Sequence, residues 1–289
     1  ASSNTLTYHT MPISTNPATI KSATEGTIPN NTLNTEGKLA FAVKFGDKAV
    51  AGHYTTNVLL SLAIQPAEVV KTLSSITNMQ EMTSAICNAS TENETKQLKD
   101  TRDNKLYWVT KLKDGNCWMT QNLAYNGGGT SRGTNCSGWT NDNTVAQYCN
   151  PGHTNGDHAS RGNYYSWPAA MNGDTFATGT VQGICSNGWH LPTSNNTAKG
   201  SFDGLTTAYG AGNNSAGSTI MRGSPMYFQY SGNAYSSGIY DVGSRGYYWS
   251  STPSGSTYAY RLYLYSSGAN PSDDNYLRYN GYSVRCLAN

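Results

Sequence analysis

Leu39, Phe41, Val43 and Phe45 share one parity, the alternation expected of a strand with one buried face. Ala51-Gly52-His53-Tyr54 then reads as a tight turn, and the apolar run at 58–64 as a more fully buried strand. That run is the longest apolar stretch and falls far short of the ~20 residues that a membrane-spanning helix needs. Alternation returns at Trp108-Val109-Thr110-Lys111-Leu112. Along 257–265, Leu262 and Leu264 share one parity and Arg261, Tyr263 and Tyr265 the other, so burying the leucines turns Arg261 and both tyrosines outward. Helix signals are sparse. Thr83 can cap a short helix through Cys87, and Leu191-Pro192-Thr193 reads as an extended step into a helix capped by Thr193 or Ser194.

Composition agrees with a loop-rich β protein. Only 12% of the 289 residues are charged, about half the usual ~25%. Gly (30) and Tyr (21) are heavily used beside Asn, Ser and Thr, which argues against helix bundles and is common in exported proteins. The formal net charge of +2 gives no sign of a nucleic-acid partner. Charge gathers around Glu92-Asn93-Glu94-Thr95-Lys96, and Lys199 is the only lysine after Asp114. We therefore divide the chain into a small β domain (1–66), a connector with a short helix (67–99) and a main domain (100–289). The start, Ala1-Ser2-Ser3, carries no leader-like segment, as expected of a processed chain or a fragment. Cys87, Cys117, Cys136, Cys149, Cys185 and Cys286 form an even, widely spaced set without CxxC pairs, which suits disulfides in an exported protein.

Ala51-Gly52-His53-Tyr54 with the following strand resembles the closing strands of Ig-like surface domains of exported bacterial proteins. At about 66 residues the segment is short for a sandwich of ~100. It is either an incomplete Ig-like domain, its missing strands lying upstream or on a neighbouring subunit, or a small irregular β cap.

From Asp100 the motifs run in order. Asp100-Thr101-Arg102-Asp103-Asn104-Lys105-Leu106-Tyr107 precedes Cys117-Trp118-Met119-Thr120-Gln121-Asn122-Leu123 and Tyr164-Tyr165-Ser166-Trp167-Pro168-Ala169-Ala170-Met171. Cys185-Ser186-Asn187-Gly188-Trp189-His190-Leu191-Pro192-Thr193, Tyr248-Trp249-Ser250-Ser251-Thr252 and Gly281-Tyr282-Ser283-Val284-Arg285-Cys286 complete the series. It resembles the Fibrobacter succinogenes major paralogous (FISUMP) domain of exported bacterial surface proteins. The resemblance implies an α+β class: a C-type-lectin-like domain rich in loops and short strands, related to the formylglycine-generating-enzyme architecture. It also implies the pair Cys185–Cys286, with Cys136–Cys149 as a local pair and Cys87–Cys117 remaining. Trp118, Trp167, Trp189 and Trp249 are large apolar side chains among few aliphatics and are expected to anchor the core.

Candidate chemistry is thin. No GxSxG, HExxH, P-loop or dinucleotide fingerprint occurs. No catalytic residue, cofactor or metal is expected. His153, Asp157 and His158 are better read as loop residues than as metal ligands. Calcium through Asn150, Asn155 and Asp157 is a weaker alternative. His190 reads as a hydrogen-bonded core histidine, and Asp273-Asp274 reads as a solvated turn.

The informative stretch is 227–282, with thirteen tyrosines: Tyr227, Tyr230, Tyr235, Tyr240, Tyr247, Tyr248, Tyr258, Tyr260, Tyr263, Tyr265, Tyr276, Tyr279 and Tyr282. Ser, Gly and Asn fill the spaces, a composition that antibody paratopes use because tyrosine gives large contact area at low entropy cost. C-terminal Tyr, Asn, Ser and Asp positions are similar to the ligand surface of retroelement-diversified C-type-lectin-like variable proteins. The expected binding residues are Tyr258, Tyr260, Arg261, Tyr263, Tyr265, Asn270, Asp273, Asp274, Asn275, Tyr276 and Tyr279. The expected function is recognition of a glycan or protein on another cell surface by an extracellular, non-enzymatic protein without a membrane span. The alternative is a subunit of a surface filament or layer, a homo-oligomer assembling through the N-terminal β domain.

Overall fold

A computed structural model describes residues 70–152, 156–175, 180–195, 200–236 and 238–289, without the side chain of Asn275. The chain divides into two units, Ala1–Ile64 and Gln65–Asn289, and every described residue belongs to the second. The strands expected at 39–45 and 58–64, and the Ig-like reading of residues 1–66, lie outside the described residues.

Helix α1 (Ser84–Ala89) starts where the Thr83 hydroxyl accepts the Ile86 amide, as the sequence predicts. Strands β1 (Thr95–Lys99), β2 (Leu106–Lys111) and β3 (Cys117–Met119) follow. Strands β4 (Thr130–Ser131), β5 (Gln147–Cys149) and β6 (Tyr164–Tyr165) form a separate small sheet. Helix α2 (Trp167–Met171) is capped by Ser166 and ends at Asn172, which takes the left-handed conformation at φ 49°. Then come β7 (Trp189–His190), α3 (Phe202–Tyr209) and α4 (Gly217–Arg222). A hairpin of β8 (Asn233–Tyr235) and β9 (Gly238–Tyr240) leads into an antiparallel meander of β10 (Gly246–Ser254), β11 (Tyr258–Tyr265) and β12 (Gly268–Leu277). Last, β13 (Leu287–Ala288) inserts between β3 and β7, where Leu287 pairs with both Trp118 and His190 and completes a sheet of order β1-β2-β3-β13-β7.

The architecture corrects the α+β, C-type-lectin-like expectation. Among the described residues the strands carry the fold in four small sheets, and the α-helices have only five to eight residues each. The class is β-rich. Composition explains the short helices, since Gly, Asn, Ser and Thr stabilise helix interiors poorly and favour caps and turns. The helix expected at Thr193 or Ser194 does not start there. Thr193 bridges to Ser201, and α3 begins with Ser201 as its cap, its hydroxyl accepting the Gly204 amide at 2.8 Å.

Trp118, Trp189 and Trp249 are almost fully buried and Trp167 nearly so. Trp189 packs in one cluster with Leu73, Ile76, Met79 and Met82, and its Nε1 donates to the Met79 carbonyl at 2.8 Å. The 70–99 segment thus supplies core side chains as well as β1. Three disulfides cross-link the unit, Cys87–Cys117, Cys136–Cys149 and Cys185–Cys286, the pairs that the FISUMP resemblance implies.

Candidate ligand-binding site

The β10–β11–β12 meander is irregular where it matters. Register shifts fall on both sides of Arg261 along the β11–β12 ladder, and such bulges re-aim a side chain relative to a regular strand. Leu262 and Leu264 are fully buried, as their parity predicts. On the opposite parity Tyr263 lies across from Tyr247 of β10, and their rings stack at 5.3 Å. Tyr265 extends the stack at 4.8 Å, and its hydroxyl bonds to the Asn213 amide oxygen.

Arg261 shares that face but is only 3% exposed, because tyrosines of β10, β11 and β12 together with Tyr282 cover it. Its guanidinium carbon lies 3.1 Å from the Tyr276 ring centre, 4.5 Å from Tyr247, 4.9 Å from Tyr282 and 5.0 Å from Tyr263. Nε and Nη2 each donate to Asp273 Oδ2 at 2.8 Å, and Nη1 donates to the Tyr282 hydroxyl at 2.5 Å. The Asn280 amide donates to that hydroxyl as well, at 2.9 Å. At the rim, Tyr247 donates to Asp241 at 2.6 Å, and Arg245 lies 3.6 Å from the same carboxylate.

Arg261, Arg245, Asn280 and the four tyrosines line an open depression of about 240 Å³, its wall completed by Asn233 and Tyr235. Burial pushes the Tyr282 phenol up to about 12 and raises those of Tyr247 and Tyr263, so all three remain neutral. Burial also raises the Asp273 carboxyl, with Arg261 opposing that shift. Arg261 with Asp273, and Arg245 with Asp241, make two compensated pairs. The depression is polar, aromatic and close to electrically neutral.

Of the residues singled out from sequence, Arg261, Tyr263 and Tyr276 line the depression. Asp273 holds Arg261 and, with Asp274, lies on β12 rather than in a solvated turn, and Asn270 donates to Asp273 Oδ1 at 3.3 Å. Tyr260 is half-buried on the leucine parity, Tyr258 is exposed at the start of β11, and Tyr279 stacks on Tyr235 at 6.0 Å. The Asn275 side chain is not described. Tyr247, Tyr282, Arg245, Asn233 and Asn280 were not singled out. The tyrosine-rich stretch already contained the first two, but nothing in the sequence marks the others.

The metal candidates do not assemble among the described residues, where no group of three His, Cys, Asp or Glu side chains could hold an ion. Asp157 caps the Ala159 amide at 2.8 Å, Asn150 accepts the Gly152 amide at 3.2 Å, and His153 and Asn155 lie outside the described residues. His158 Nδ1 meets the Thr120 carbonyl at 2.9 Å, and His190 Nδ1 meets the Asn289 amide oxygen at 2.7 Å.

A family model for a domain of unknown function (DUF8237) matches residues 214–287, a span that holds every residue lining the depression. No curated protein and no solved structure matches the chain. Among the described residues no helix is long and apolar enough to cross a membrane. The three disulfides fit a non-cytoplasmic protein, since such bonds persist in oxidising compartments.

Proposed function

We propose that this chain is an exported, non-catalytic recognition protein of a cell surface, and that the depression around Arg261 binds a neutral glycan. The observation that carries this reading is the compensated Arg261–Asp273 pair enclosed by four tyrosine rings beneath an open wall. An anionic ligand would have to compete with Asp273 for the guanidinium. A neutral polyol needs no such exchange, since tyrosine faces receive its C–H surfaces while phenol and amide groups answer its hydroxyls. The phenols stay protonated, and the guanidinium is tied down by hydrogen bonds. These groups suit binding rather than proton transfer.

The three disulfide pairs support kinship with FISUMP domains of exported surface proteins. A protein ligand is the second reading, favoured by the exposed rim of Tyr235 (40%), Tyr240 (49%) and Val242 (48%). Replacing Tyr263 and Tyr265 together by alanine tests the site. A folded double variant is expected to lose adhesion to a glycan-coated surface, and unchanged adhesion would remove the site from β11.

A further inference from the structure

A second cleft, of about 380 Å³, opens on the outer face of the β1–β2 ladder. There Tyr107 and Val109 point into the core, which leaves Trp108 and Thr110 on the opposite face beside Thr95, the cross-strand partner of Thr110. Three rings form one wall. His158 lies between Trp108 at 5.1 Å and Tyr227 at 4.1 Å. Two of the rings are pinned from behind: Trp108 Nε1 donates to the Gly156 carbonyl at 2.8 Å, and His158 Nδ1 donates to the Thr120 carbonyl at 2.9 Å. Tyr227 sits at φ 52°, a conformation a bulky residue rarely takes. The buried Arg285 holds it there by donating to the Met226 carbonyl at 2.6 Å and the Tyr227 carbonyl at 2.5 Å. Backbone strain persists where the surroundings over-determine it, and it clusters at ligand sites.

The polar lining is uncharged. Thr95 and Thr110 share a hydroxyl–hydroxyl bond of 2.8 Å, and Ser224 adds a third hydroxyl. Asn93, exposed at the mouth, has a side-chain amide with no partner among the described residues. No carboxylate, lysine or arginine lines the cleft. From this geometry we infer that the Trp108–His158–Tyr227 cleft is a second ligand site, taking one ring of a neutral sugar that packs against the side of the aromatic stack while Asn93 and the hydroxyls bind its polar groups. The site stands on its own residues and is independent of the reading given for the Arg261 depression.

The test is a titration of the ¹⁵N-labelled full chain with neutral methyl hexopyranosides of the gluco, galacto and manno series. The indole N–H of Trp108, assigned with the Trp108→Phe variant, is the reporter. At least one glycoside is expected to shift it saturably. Tyr227→Gly removes the ring without a backbone penalty at positive φ, so it should fold and lose the shift. Should that variant fail to fold, Asn93→Ala, an exposed change, is expected to weaken the same titration. Tyr263→Ala, in the other depression, should leave it intact, so a failure of either site is read separately. No saturable shift with any of the glycosides, or an unchanged titration in the folded Tyr227→Gly variant, would overturn the inference.

Discussion

Arg261 and Asp273 face each other across the β11–β12 ladder, and the guanidinium reaches one carboxylate oxygen through both Nε and Nη2 at 2.8 Å. This pair lies beneath the tyrosines of the depression, so it sets their spacing as well as the local charge. A buried pair of this kind adds little net stability over an apolar replacement, but breaking it leaves a charge without its partner.

Arg261→Met should therefore destabilise the fold by roughly 3 kcal/mol, less than for a fully enclosed pair because Asp273 keeps some contact with solvent. Adding Asp273→Leu should recover much of the loss. Urea unfolding of both single variants and the double variant gives the coupling directly.

Arg285 is fully buried and donates to Asn122 Oδ1 at 2.8 Å as well as to the Met226 and Tyr227 carbonyls. Arg285→Met preserves bulk but strands Asn122 Oδ1 and the Met226 carbonyl, while Gln229 Nε2 still reaches the Tyr227 carbonyl at 3.0 Å. The expected loss is about 3–5 kcal/mol, measured by denaturant unfolding, and Arg285→Lys should recover only part of it.

The disulfides should rank by the loops they close. Cys185–Cys286 spans 101 residues and Cys136–Cys149 spans 13. Chain-entropy reasoning puts the losses at about 4.7 and about 3 kcal/mol. Thermal midpoints of the paired Cys→Ala variants check the order, with the 185–286 variant melting lower.

Acid should weaken the fold in two stages. Burial lowers the folded-state values of His158 and His190 beneath 6.5, so the unfolded chain binds protons first and stability falls as pH drops through that value. For Asp100, burial alone would raise the carboxyl, but hydrogen bonds from Arg102 and Gln80 and the Arg102 charge hold it below 3.8. Its stabilisation is present above that value and is lost as pH falls through the folded one. Urea midpoints across this range should show both declines, and His158→Phe should flatten the first.

Much of the fold was legible wherever one residue type has one physical outcome. The four tryptophans went into the core, Thr83 capped α1, and the parity of Leu262 and Leu264 fixed which face of β11 is buried. Parity could not show that Arg261 is buried too. Tyr276 and Tyr282 reach it from β12 and from the segment before Cys286, and local periodicity carries no information about such long-range cover. The Thr193 cap failed for a similar reason, since the bridge to Ser201 satisfies its backbone before a helix can begin. The α+β expectation rested on resemblance, and short helices in a Gly- and Asn-rich chain leave little periodic signal.

The central claim is that the Arg261 depression recognises a neutral glycan. A glycan array probed with the wild-type chain at low and high salt tests it most directly. Binding to neutral glycans that survives high salt, and that Tyr263→Ala abolishes, is the predicted result, because compensated charges leave little for salt to screen. Binding confined to sialylated or sulfated glycans and lost in high salt would contradict the account.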